Sequence, residues 1–154
     1  MNAPHASLHE RIVNAHISAF GGGYCGPANA PAVILYSGSP SEQQRHALVA
    51  SFEQLGYQEG ALGWINIDAA GEGEPAPDLL FNLIEAIDPL CVVALNHAAT
   101  AQLSRSYHAP LSLETRGLLL GRECRCFENF EALLATEAGK RKAWGLLKTL
   151  PRNA

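Results

Sequence analysis

The chain has 154 residues, the size of a single domain able to bury a core. Apolar residues make up 47% and charged residues 17%, a soluble globular composition with a plain surface. The net charge of −4 argues against a strong electrostatic grip on a phosphate backbone, which needs clustered Lys and Arg.

Residues 1–7 are expected to be loose. Leu8 to Phe20 has the apolar spacing of a short amphipathic helix, ended by Gly21, Gly22 and Gly23. The Gly- and Pro-rich run to Pro31 reads as a loop. Ala32 to Tyr36 is a short apolar strand that leaves into Ser37, Gly38, Ser39, Pro40 and Ser41. Ser41 caps a helix that Gly56 stops, with Ala47, Leu48, Ser51, Phe52 and Leu55 on its inner face. Ala61 to Ile67 is the next strand, and Ala69 to Pro77 an exposed loop. Asp78 caps a helix reaching Asp88. Leu90 to Leu95 is apolar on both faces, as a central strand of a parallel sheet must be. A helix over Ala98 to Tyr107 follows. Leu118 to Leu120 and Arg122 to Phe127 read as extended structure about Gly121, and Glu131 to Leu134 as a helical turn. A last helix spans Glu137 to Leu150, with Trp144 and Leu147 read as core. Strands alternating with helices predict a three-layer α/β/α sandwich on a central, mainly parallel four-stranded sheet. Residues 1–31 form an N-terminal helix and Gly/Pro loop, and residues 32–154 the α/β domain proper.

The charges are unevenly spread. Arg116, Arg122, Arg125, Lys140, Arg141 and Lys142 all lie late in the chain, the composition of a local basic face for nucleic acid. Of the four cysteines, Cys25, Cys91, Cys124 and Cys126, no two have Cys-x-x-Cys spacing. Among the six histidines only His5 and His9 have His-x-x-x-His spacing, with His5 in the stretch expected to be loose. No metal site and no cofactor are therefore expected. Reduced thiols, an N-terminus without a leader pattern and the lack of a long apolar run point to a cytoplasmic protein without a membrane span.

In an open parallel sheet, ligands bind at the C-terminal ends of the strands. Small residues over Ser37–Ser41 let a ligand approach the backbone, and amides at a helix start favour an anion. The loop lacks the Gly-Lys-Ser/Thr end of a phosphate-binding loop. Asn96 and His97 close the strand at Leu90–Leu95.

These segments resemble the uracil-DNA glycosylase superfamily over about Ala32 to Leu150. "AVILYSGSPS" is similar to its first strand and motif, with Pro40 at the proline, Ser37 at the first glycine and Gly38 where an acidic or polar residue stands. "PLCVVALNHAATA" is similar to its proline, apolar strand and Ala-rich helix, with Asn96 in place of a glycine. Arg116-Gly117 is similar to its Arg-Gly turn. "FENFEALLATEAGKRKAWGLLKTL" is similar to its His-Pro segment, with Asn129 at the His and Phe130 at the Pro. The resemblance implies a base-flipping pocket, but Gly38 and Asn129 supply neither charge nor proton. The expected function is a non-catalytic glycosylase-like module for a protein partner or, weakly, for nucleic acid. The alternatives are a divergent glycosylase or other nucleobase- or nucleotide-processing enzyme using Asn96, His97 and Asn129, and a small-molecule binding protein.

Overall fold

A computed structural model describes residues 7–70 and 77–153. Residues 1–6 of the stretch expected to be loose and residues 71–76 of the loop expected over Ala69 to Pro77 lie outside the described residues. Ser7 caps the helix that starts at Leu8, and Pro77 already belongs to the helix that runs to Ile87. The elements are α1 (Leu8–Ala19), β1 (Tyr24–Cys25), β2 (Ala32–Tyr36), α2 (Glu42–Gln54), β3 (Leu62–Asn66), α3 (Pro77–Ile87), β4 (Cys91–Ala94), α4 (His97–Tyr107), β5 (Gly117–Leu119), β6 (Arg122–Cys126), α5 (Phe130–Leu133) and α6 (Glu137–Leu147). Short polar side chains start five of the helices. Ser7, Ser41, Asn96, Asn129 and Thr136 each accept a hydrogen bond from a first-turn N–H of α1, α2, α4, α5 and α6.

Among the described residues the sheet has six strands in the order β1-β3-β2-β4-β6-β5. The four strands β3, β2, β4 and β6 pair in parallel, while β1 and β5 pair antiparallel at the two edges. The expected four-stranded sheet is thus a mixed, six-stranded one. The added strand β1 lies inside the Gly/Pro run read as loop, where Tyr24 and Cys25 pair with Ile65 and Trp64. The N-terminal segment is therefore part of the same sheet.

Helices cover both faces. One face carries α1, α3 and α4 over Val33, Leu35, Val92, Ala94, Cys124 and Cys126. The other carries α2, α5 and α6 over Ala32, Ile34, Cys91, Val93 and Phe127. All four residues of β4 are buried, which is why its sequence is apolar without alternation. Val13 and Phe20 anchor α1, but Leu8 and Ile12 remain exposed. Cys124 and Cys126 share a face, as residues two apart on a strand must, with sulfurs 3.6 Å apart.

Residues 151–153 are tied to the end of α2. Asn153 N–H donates to Leu55 O at 2.9 Å, and the Tyr57 hydroxyl donates to Pro151 O at 2.7 Å. Burial pushes the Cys91 thiol, 3.7 Å from the Tyr57 hydroxyl, up to about 11. An unfolded thiol ionises near ~8.5, so the unfolded state loses its proton first. The contribution of Cys91 to stability is intact below that pH and is lost as pH rises towards 11. Urea midpoints measured between these limits should fall more steeply for the native chain than for Cys91→Ala. Equal slopes would refute the assignment.

The β5–β6 hairpin turns on Leu120 (φ 49°) and Gly121 (φ 84°). Both sit in the left-handed region that a two-residue primed turn demands. Leucine is a poor fit there, costing roughly 1–2 kcal/mol, and its side chain is 69% exposed. Leu120→Asn is expected to raise stability by about 1 kcal/mol in urea denaturation. An unchanged midpoint would mean that the turn is not strained.

Candidate functional site

The strand order places β3 and β4 on opposite sides of β2. The chain leaves β2 in one direction and later returns on the other side. The crevice where a doubly wound sheet binds ligands therefore lies between the C-terminal ends of β2 and β4. Three loops meet there: Ser37–Ser41 after β2, Leu95–Asn96 after β4, and Phe127–Asn129 after β6. The predicted residues Asn96 and Asn129 come together as a bridged pair.

What these side chains do is internal. The Asn96 Nδ2 donates to Ser37 O at 3.0 Å, across the crevice, while its Oδ1 caps α4 by accepting from Ala99 N–H at 3.1 Å. Both ends of the amide are engaged. The Asn129 Oδ1 caps α5, accepting from Ala132 N–H at 3.1 Å. Ser41 caps α2, accepting from Gln44 N–H at 3.1 Å. Gly38 adopts φ 80°, and its N–H donates to Asp68 Oδ2 at 2.6 Å. The Ser37 hydroxyl donates to the same carboxylate at 2.9 and 3.1 Å. Ser39 and Pro40 complete the loop, Ser39 exposed and Pro40 half-buried.

Two acidic residues join this end of the sheet that sequence reasoning passed over. Asp68 follows β3 and is held by its own N–H donating to Asn66 Oδ1 at 2.9 Å. Glu128 follows β6, with its carboxylate 2.9 Å from the His97 Nδ1; both residues of this pair are exposed. Each stands two residues past the C-terminal end of a parallel strand, the position rule that would have found them.

The six late cations do not act alike. Arg125 is fully buried. Its guanidinium donates to Glu123 Oε2 (2.8 Å), Cys124 O (2.8 Å) and Thr149 Oγ1 (2.9 Å). The expectation that Arg125 contacts nucleic acid is corrected: β6 is covered on both faces, so this side chain belongs to the interior. Arg122 is held between Glu85, Asp88 and Pro89 O. Arg116 pairs with Glu123 at 3.7 Å, Lys142 with Glu114 at 2.6 Å and Lys140 with Glu137 at 3.5 Å, and Arg141 is exposed. Carboxylates thus lie against most of the set. Trp144, expected in the core, is 37% exposed.

Among the described residues, no group of three or more His, Cys, Asp and Glu could hold a metal ion. Among them, too, no helix is long and apolar enough to cross a membrane. Comparison of the chain with protein-family models and with curated proteins finds no significant match in either.

The capping roles predict mild, purely structural phenotypes. Asn129→Ala should cost about 1 kcal/mol, the usual worth of an N-cap. Asn96→Ala should cost about 2 kcal/mol, because it removes a cap and also leaves Ser37 O without its donor. Urea denaturation of both variants checks this, and equal losses would mean that the bond across the crevice contributes nothing.

Proposed function

We propose that this chain is a uracil-DNA glycosylase-like α/β domain that does no base excision and works as a binding module for a protein partner. The observation that carries this reading is the Asn96 Nδ2 to Ser37 O bond, which spans the crevice between β2 and β4. The asparagine that stands at a ligand-reading position holds the two loops together instead. Asn129, aligned with the family's histidine, is likewise an α5 cap, and an amide side chain cannot shuttle a proton.

A second reading has its own observation. Asp68 brings a carboxylate to the Ser37–Gly38 loop, the loop whose acid the resemblance finds missing. His97 and Glu128 add an exposed histidine–carboxylate pair at the same end of the sheet. These are the groups of a divergent base- or nucleotide-processing enzyme, with Asp68 and His97 as acid–base candidates.

One assay separates the two. Uracil excision is measured on single- and double-stranded DNA, with binding to uncleaved DNA read from the same samples. The binding-module reading expects no excision and no tight DNA binding. Excision that disappears in Asp68→Asn or His97→Ala would replace it with the enzyme reading.

A further inference from the structure

Cys124 and Cys126 lean towards each other. Residues two apart on a strand have Cα atoms about 6.6–6.8 Å apart, yet these sulfurs are 3.6 Å apart. Both side chains are buried in the cluster beneath α1, α3 and α4. The bond between the sulfurs holds the Cys126 thiol below its usual range, against burial and with help from the Thr100 hydroxyl. The same bond, together with burial, pushes the Cys124 thiol up. Cys126 is thus the readier of the two to ligate, since the thiolate is the metal-binding form.

Geometry selects what can join them. A disulfide needs Cα atoms roughly 4.4–6.8 Å apart, and an extended strand stands at the upper limit of that range. β6 is held at this length by the register of Cys124 and Cys126 with Val92 and Ala94 of β4. A single ion needs no backbone movement. Half of the 3.6 Å separation is less than a metal–thiolate bond of about 2.3 Å, so one ion reaches both sulfurs. Among the described residues no third His, Cys, Asp or Glu makes up a larger ligand set. Zinc, which takes three or four protein ligands, is therefore a poor fit. A soft ion satisfied by two thiolates fits, and Cu(I) is the ion that such ligands select.

The structure also offers an entry path. Residues 109–116, between α4 and β5, form no helix or strand. They lie over the cluster through the half-buried Ala109, Leu111 and Leu113, and Glu114 N–H donates to Cys126 O at 2.6 Å. Glu114 holds φ 56°, in the left-handed region that is costly for a residue with a Cβ. A cover without regular structure belongs to the part of a fold that opens most readily.

We propose that Cys124 and Cys126 form a two-thiolate site for Cu(I), entered by opening of residues 109–116. Both S–H protons pass to solvent and two S–Cu bonds form, with no change of oxidation state. The site is independent of the binding-module reading.

The test uses the full chain, without oxygen, with Cu(I) offered as its coloured bicinchoninate complex. Transfer of one ion per chain is expected. It should persist in Cys25→Ser, which removes the exposed thiol, and in Cys91→Ala, which removes the thiol on the opposite face. Cys124→Ser and Cys126→Ser should each weaken binding by more than the roughly 10–100-fold that an outer partner of a metal ligand is worth. X-ray absorption at copper in Cys25→Ser should show two sulfur neighbours, a readout that decides the matter even where a core variant fails to fold. No transfer, transfer indifferent to Cys124→Ser or Cys126→Ser, transfer abolished in Cys25→Ser, or any other number of sulfur neighbours would each overturn the site. Treatment with glutathione disulfide adds a check, because cleavage after Arg125 separates the two cysteines unless a disulfide joins them. They should come apart, and fragments that stay joined would make the pair a redox centre instead. Uracil excision reads none of these signals, so failure of the copper site leaves the binding-module reading as it stands.

Discussion

Arg125→Ala is expected to remove about 3 kcal/mol or more of folding stability, within the range for losing one member of a buried charged network. A domain of this kind has a total of roughly 5–15 kcal/mol, so the loss is a large fraction. Arg125 lies on β6 with no exposed surface. Its Nε and Nη2 hold the end of α6 through Thr149 Oγ1, at 3.1 and 2.9 Å. Its Nη1 holds Cys124 O and Glu123 Oε2, both at 2.8 Å. Glu123 keeps 28% side-chain exposure, so its stranded charge can rehydrate. The larger costs are the carbonyl and hydroxyl groups left without a donor and the hole left by a long side chain. Arg125→Lys keeps the charge but not the planar fork of five N–H groups, and should recover only part of the loss. The measurement is equilibrium urea unfolding with an unchanged m-value. A loss below about 1 kcal/mol for Arg125→Ala would mean that the network adds little to simple packing.

Two glycines of α6 should respond to the same substitution with opposite signs. A Cβ on Gly139 would stand 2.8 Å from the Leu133 carbonyl carbon and 2.9 Å from its Cα, with the carbonyl oxygen nearer still. Those are backbone atoms of α5, and they cannot rotate aside. Ala is the better helix former by about 1 kcal/mol, but overpacking against a fixed backbone costs about 1–3 kcal/mol. Gly139→Ala should therefore be destabilising by up to about 2 kcal/mol, the clash being with fixed backbone. At Gly145, in the same helix, a Cβ meets nothing within 4 Å. There only the propensity term remains, and Gly145→Ala should gain up to about 1 kcal/mol. Thermal denaturation of the pair decides the matter. Two stabilised variants would show that α5 and α6 do not meet as closely as described.

The layers of the fold were legible where one physical signal dominated. β4 is buried on both faces and reads as an unbroken apolar run. α2 carries a Ser cap and a Gly stop. The edge strands were harder. β1 is two residues of a Gly-rich turn, held by backbone pairing to β3 rather than by any pattern of side chains. At the site, the meeting of Ser37–Ser41, Asn96 and Asn129 followed from their places at the ends of parallel strands. Their roles did not, because a capping asparagine and a ligand-reading asparagine are the same residue type. Arg125 alternates with Cys124 and Cys126, so its face of β6 could be read. Its burial could not, since that depends on α6 closing over the strand. Trp144 was placed in the core because it has helical apolar spacing, but α6 carries a wider apolar stripe than its neighbours cover.

The fastening of residues 151–153 to the end of α2 gives the two faces of the sheet different timetables. The cluster under α1, α3 and α4 draws on no residue beyond Cys126, so a growing chain can close it early. The cluster under α2, α5 and α6 reaches to Leu150, and its last hydrogen bonds need Pro151 and Asn153. Domains assemble from the N-terminal side as synthesis proceeds at roughly 5–20 residues per second. During that interval α2 waits beside an open hydrophobic surface for residues 147–153. Pulse-labelled hydrogen exchange during refolding would resolve the same order, with amides of α3 and α4 protected before those of α2. Simultaneous protection would mean instead that the two faces form as one cooperative unit.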